Sequence, residues 1–215
     1  MTTNNRIVNP APPNLPLSTD QYDRRYQDQF LNILRLYFNQ LQNSLTELLG
    51  NTGGKYIASP YGAFSDFTSQ TATVNTATLM ALNTTDFSNT VSLQTGSKIT
   101  VENAGIYNLQ FSAQLQNLDN APQDVFIWLK QNGTDIVGST GKVGMPARKS
   151  AGVPFHDIKG WNYFLSMNAN DYVQIYWSTT NASVTIETYA ASGTPTKPST
   201  ASVVATLSFV SALPP

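Results

Sequence analysis

Apolar residues recur along the chain with two different periods, and the change from one to the other falls near Gly50. Before it, Leu31, Leu34, Phe38, Leu41, Leu45 and Leu48 alternate at intervals of three and four. That is the spacing of the a and d positions in a coiled-coil seam. From Asn39 to Ser44 the other positions are Asn39, Gln40, Gln42, Asn43 and Ser44, a polar outer face. The pattern predicts a helix over 18–50, roughly 48 Å long at about 1.5 Å per residue. Ser18 and Gln21 form a capping box at its start, and Asp20 places a negative charge in the first turn. Gly50 and Gly53-Gly54 end it.

Phe30, Ile33, Leu36 and Tyr37 make the first half of this helix apolar almost all round. A helix hydrophobic on every side is normally buried, so this half is expected to sit inside another protein while the later half holds a self-association seam. The alternative is a single amphipathic helix packed on its own domain, with the β region folded over it.

After Gly50 the period becomes that of strands, separated by turn chemistry. The expected strands are Ala63 to Phe67, Leu79 to Ala81, Thr90 to Leu93, Lys98 to Val101, Ile106 to Leu115, Val125 to Lys130, Asp135 to Ser139, Gly160 to Met167, Tyr172 to Ser178, Val184 to Ala190 and Val203 to Val210. In Ile106 to Leu115 the alternation is clean, with Tyr107, Leu109, Phe111, Ala113 and Leu115 on one face and amides and serine on the other. Asn132-Gly133 is a hairpin signal. A long connection is expected over Gly141 to Ile158, and a loop over Ser192 to Ser202. About ten short strands with one long connection fit an all-β jelly-roll sandwich, with an immunoglobulin-like sandwich as the alternative. The domains are then an arm over 1–17, the helix over 18–50, a linker over 51–62 and a β head over 63–215.

Composition narrows the partners. Charged residues make up 12% of the 215-residue chain, about half the usual share, so Ser, Thr, Asn and Gln must cover the surface. Twelve basic and thirteen acidic side chains give a net charge of -1 with no basic stripe, which argues against nucleic acid. The absence of cysteine excludes disulfides and thiolate metal sites. No stretch has the length of a membrane span, and the opening MTTNNRIVNPAPPNLPLS lacks the apolar core of a signal peptide. Pro10, Pro12, Pro13 and Pro16 favour an extended, polyproline-like arm that docks on a partner or stays disordered.

Candidate chemistry is sparse. The single histidine, His156, stands beside Asp157, and its possible nucleophiles Ser150 and Ser166 lie in no nucleophile-elbow context. The carboxylates fall mostly at turns or strand ends, where they make local hydrogen bonds. No catalytic residue, metal site or cofactor is expected. Lys142, Arg148, Lys149, His156 and Lys159 gather around the long connection and are candidates to meet an anionic surface glycan or a neighbouring protein. Phe126, Trp128, Phe164 and Trp177 are candidates for sugar stacking or for burial between subunits.

The runs AGIYNLQFSAQL, DVFIWLKQNG, NYFLSMNANDYVQIYW and ATLSFV, over about Ala63 to Val210, resemble the tumour-necrosis-factor and complement globular-head jelly rolls. The matching positions are Gly105, Tyr107, Phe111, Asn132, Gly133, Leu165, Asp171, Tyr172, Val173 and Phe209; Asn170 departs, standing where that family's turn carries glycine. The resemblance implies a homotrimer. A second resemblance covers about Val8 to Leu41: VNPAPPNLPLSTDQYDRRYQDQFLNILRLYFNQL is similar to the leader of structural proteins from phages of marine cyanobacteria and related bacteria. It implies a virion component, made in the host cytoplasm and docked on other virion proteins through Pro10, Pro12, Pro13, Pro16, Phe30, Ile33, Leu36 and Tyr37. The expectation is a non-enzymatic fibre or head-decoration protein, with a host-surface glycan as its candidate attachment partner. A carbohydrate-binding or glycan-degrading spike and a capsid cement protein are the alternatives.

Overall fold

The computed structural model describes residues 10–17, 20–49 and 59–213. The chain divides into two compact units between Ala58 and Ser59. In the first, residues 10–17 carry no helix or strand, and Pro10, Pro13 and Pro16 are half-buried while Pro12 is exposed. That three-residue period is the turn length of a polyproline helix.

Helix α1 spans Arg24–Leu49, 26 residues, about 39 Å at about 1.5 Å per residue. It opens later than the expected capping box, because Asp23 supplies the cap. Asp23 Oδ1 accepts the Arg25 N–H at 2.8 Å and the Asp23 carbonyl accepts that of Gln27 at 3.1 Å. An aspartate there also sets a negative charge against the positive end of the helix dipole. Gln21 and Asp20 precede the helix; Ser18, Gly50 and Gly53-Gly54 lie outside the described residues.

The second unit is built of antiparallel strands. In chain order they begin with β1 (Tyr61–Asp66), β2 (Gln70–Thr71), β3 (Thr78–Leu79), β4 (Thr84–Asn89), β5 (Val91–Gln94) and β6 (Lys98–Val101). The middle holds β7 (Gly105–Asn117), β8 (Gln123–Gln131), β9 (Thr134–Asp135), β10 (Gly141–Met145), β11 (Phe155–Lys159) and β12 (Asn162–Met167). Last come β13 (Tyr172–Thr179), β14 (Val184–Ile186), β15 (Ser192–Gly193), β16 (Thr196–Lys197) and β17 (Val203–Ser211).

One sheet runs β2-β14-β7-β17-β1-β4, with β11 and β12 also on β7. Ala113 lies opposite both Lys159 and Val203, and Leu109 opposite both Tyr163 and Leu207, so β11 and β12 occupy the side of β7 away from β17. The other sheet runs β10-β8-β13-β6-β5, with β3 on β13 and β9 on β8. Inward residues of both, among them Tyr107, Leu109, Ile127, Leu129, Ile175, Trp177, Ala205 and Leu207, are fully or almost fully buried in one shared cluster. This is the two-layer arrangement expected of a β-sandwich, held by removal of apolar surface from water.

Four expectations change. The connection Gly141 to Ile158 contains β10 and β11, which pair with β8 and β7. Asp135 to Ser139 is mostly turn: Gly138 has φ +83°, and the buried Ser139 hydroxyl donates to the Ile136 carbonyl while accepting the Leu129 N–H. Strand β4 runs through the polar, largely exposed TTDFSN, an edge strand with no apolar alternation to announce it. Ser192 to Ser202 contains the small β15–β16 hairpin. At Asn132-Gly133 both φ values are positive, 51° and 81°, as a type I′ hairpin requires, and β8 pairs with β9 across it.

Candidate functional site

The five expected basic residues fall on different elements. Lys142 belongs to the second sheet and pairs with Asp124 at 2.8 Å, whereas His156 and Lys159 belong to the first, with Lys159 paired to Asp157 at 2.9 Å. Arg148 donates to the Leu118 carbonyl at 3.4 Å. Lys149 is exposed in the connection between β10 and β11. Lys142, His156 and Lys159 are thus divided between two sheets, and Arg148 and Lys149 lie in the connection that joins them.

His156 makes its bond to a residue that its sequence neighbours do not reveal. Its Nδ1 lies 2.9 Å from the Tyr189 hydroxyl, and the two rings meet edge to face. Burial, with the Glu187 charge second, raises the pKa of Tyr189 above its ordinary value, so this tyrosine keeps its proton. On β7, His156 is opposite Gln116 and Ser166 opposite Ile106. Ten positions of strand, about 33 Å at about 3.3 Å per residue, separate them. Among the described residues no group of three or more His, Asp or Glu is placed to hold a metal ion, and no helix is long and apolar enough to cross a membrane.

On α1 the six seam residues fall within an arc of about 100° at about 100° per residue. Leu31, Phe38, Leu45 and Leu48 are exposed, Phe38 by 59%, and Leu34 and Leu41 are half-buried. Phe30, Ile33 and Tyr37, half-buried, widen the arc to about 160° in the amino-terminal half. Leu36 stands on the opposite, polar side and is exposed. The first half is therefore apolar over about half its circumference rather than all round.

The richest chemistry lies on the outer face of the second sheet. Strand alternation sends Val125, Ile127 and Leu129 into the core and turns Phe126, Trp128 and Lys130 outward. On β13 it buries Val173, Ile175 and Trp177 and turns Tyr172, Tyr176 and Ser178 to the same outer face. Register then sets Tyr176 opposite Trp128 and Ser178 opposite Phe126. The Trp128 and Tyr176 rings are 6.0 Å apart at 33°. Trp128 Nε1 donates to Asp135 Oδ1 at 2.7 Å, which pins the indole. Lys130 bridges to the same carboxylate at 3.3 Å and places its ammonium 4.7 Å above the Tyr176 ring. Lys142, paired with Asp124, stands 5.7 Å from the Phe126 ring centre.

Two residues further along the same strands, the row Gly144, Asp124 and Thr180 opens into a groove of about 660 Å³, also lined by Pro122, Gln123, Met145 and Pro146. Thr180 Oγ1 donates to Gln123 Oε1 at 2.7 Å and accepts the Asp124 N–H at 2.9 Å. Asp119 accepts from the Gln123 and Asn181 side-chain amides. Of the groove's lining, Asp124 continues the outward row of Phe126 and Trp128 along β8, and Thr180 follows Ser178 at the end of β13. Of the ring candidates from sequence, Phe126 and Trp128 belong to this face, Phe164 lies on the outer face of the first sheet, and Trp177 is core. Tyr176, Gln123, Asp124 and Thr180 were missed; the alternation of Tyr172, Gln174, Tyr176 and Ser178 against Val173, Ile175 and Trp177 carried the signal for Tyr176.

A scan against protein-family models and a search of the curated proteins both return no match for the chain.

Proposed function

We propose that this is a non-enzymatic structural protein of a phage particle, a homotrimeric fibre or head-decoration protein whose helix associates as a short coiled coil and whose β unit is a jelly-roll head. The observation that carries the proposal is the exposed three-four stripe of α1, in a unit distinct from a β unit that has its own closed core. Four of the six seam residues, Leu31, Phe38, Leu45 and Leu48, are exposed and Leu34 and Leu41 are half-buried, a stripe that a partner helix would cover.

Pairing of the strands supports the jelly roll. β1 pairs with β17, β6 with β13, β7 with β12 and β8 with β10, so the chain is nested outermost with outermost down to an inner hairpin. Cross pairs β17·β7 and β13·β8 then roll this long hairpin into two sheets. The likeness to the tumour-necrosis-factor and complement heads agrees with it and supplies the number three. The placement in a virion rests on the leader likeness over about Val8 to Leu41, with the arm and the amino-terminal half of the helix as the docking element.

Multi-angle light scattering on the full chain and on a chain starting at Lys55 tests the assembly. The expected result is a trimer for the first and a loss of that trimer for the second; a monomeric full chain overturns the proposal. A second reading, carbohydrate recognition by the head, is favoured by the strip of rings and groove on the second sheet.

A further inference from the structure

We infer that the outer face of the second sheet is a binding site for an extended, neutral oligosaccharide laid along β8 and β13. The site stands on the head alone, so a monomeric chain would overturn the trimer and leave this inference untouched.

Three features point to that ligand class. First, the rings and the groove run in rows along the strands. Asp124 with Thr180, Phe126 with Ser178, and Trp128 with Tyr176 form successive rows on one face, about 6.6 Å apart at about 3.3 Å per residue. From Asp124 to Trp128 the strip is about 13 Å long, room for more than one pyranose ring. Pyranose faces carry C–H bonds with partial positive charge, which suit the negative faces of aromatic rings. Their edges carry hydroxyls, which suit the Asp124 carboxylate and the Gln123 and Thr180 side chains at the groove end.

Second, the strip is close to electrically neutral where the rings lie. Lys130 is matched by Asp135 and Lys142 by Asp124, so between Asp124 and Trp128 neither lysine is left over to recruit a phosphate, a sulfate or a uronic acid; Lys98, 4.5 Å above the Tyr172 ring, stands further along the face. Third, the site is held ready. Trp128 is fixed through its indole nitrogen, and Thr180, Gln123 and Asp119 are joined by hydrogen bonds, so little ordering remains for a ligand to drive. Ser178 opposite Phe126, and Asp124 next along the same face, set polar groups beside the rings, unlike the apolar centre of a protein interface.

The experiment is isothermal titration of the full chain with cellohexaose, laminarihexaose, maltohexaose and mannohexaose, and with hexagalacturonate as the charged control. Binding of at least one neutral hexasaccharide is expected. Its affinity should fall about tenfold or more in Trp128→Ala and in Tyr176→Ala, and stay unchanged in Phe164→Ala on the opposite sheet. If Trp128→Ala fails to fold by circular dichroism, Gln123→Ala in the groove carries the test with the same expected direction. No binding by any of the four neutral hexasaccharides overturns the inference. So does binding of the charged hexamer alone, or equal affinity in the folded ring variants and the parent chain.

Discussion

At Gly160 a side chain of any size meets main chain. A Cβ placed there would lie 2.0 Å from the Phe111 carbonyl oxygen, and a carbonyl within a paired strand has little freedom to retreat. Gly160→Ala is expected to destabilise the head by about 1–3 kcal/mol, read as a lower urea midpoint at unchanged slope. Asp171 makes a second test. Burial acts to raise its pKa, but hydrogen bonds from the Asn168 N–H and from the Asn132 and Gln131 side chains outweigh it and hold the carboxyl below its ordinary 3.8. A depressed folded-state pKa gives stability that is complete above the unfolded value and lost as pH falls through the folded one. The gap in unfolding temperature between the parent chain and Asp171→Asn should therefore narrow from about pH 5 to about pH 3. A gap that stays constant would contradict this. Beside it, Asn170 holds φ +69°, the left-handed conformation that asparagine tolerates better than most residues. It therefore adopts a conformation otherwise favoured by glycine. The Asn132-Gly133 turn was legible because it depends on neighbouring residues alone; the Phe111–Gly160 approach joins positions far apart in sequence and was not.

Among the elements, the helix and the strongly alternating strands were the most legible. Tyr107 to Leu115 announces β7 because one face is core and the other is not. β4, β10 and β11 were not legible: an edge strand exposed on both faces has no apolar period, and GKVGM and FHDIK are too short to establish one. The helix start was misplaced because two acceptable caps lie close together, and the choice of Asp23 depends on where the backbone turns. Laid on a helical wheel, the apolar residues separate into a seam and one outlier, and this gives a paired prediction. Phe38→Asp or Leu41→Asp should break the assembly, since an unpaired carboxylate in a closed seam is costly. Leu36→Gln, on the polar side, should leave the trimer intact by light scattering. Equal effects from the two kinds of change would show that the three-four stripe is not the contact.

For the whole molecule, the helix and the sugar site bear on each other through number. A single shallow strip on an open sheet face holds a neutral sugar with few contacts, and such contacts are individually weak. In the proposed homotrimer, three heads would convert later contacts with the same surface into intramolecular ones, which raises avidity by about 10²–10⁴ where the spacing permits. The rings and the groove sit wholly within the unit beginning at Ser59, together with a core shared by its two sheets, so a chain starting at Lys55 should keep the site and lose only the multiplicity. Sequence could not show this link: the heptads were visible by themselves, but the strip exists only once register places Tyr176 beside Trp128. The prediction is a comparison. Full chain and shortened chain should bind the preferred soluble hexasaccharide with equal affinity per head. On the corresponding polysaccharide immobilised at high density, the full chain should bind at least about 100-fold more tightly, and Phe38→Asp should reduce it to the level of the shortened chain. If the full chain and the shortened chain bind the immobilised polymer equally, the helix serves anchoring alone, and attachment gains nothing from assembly.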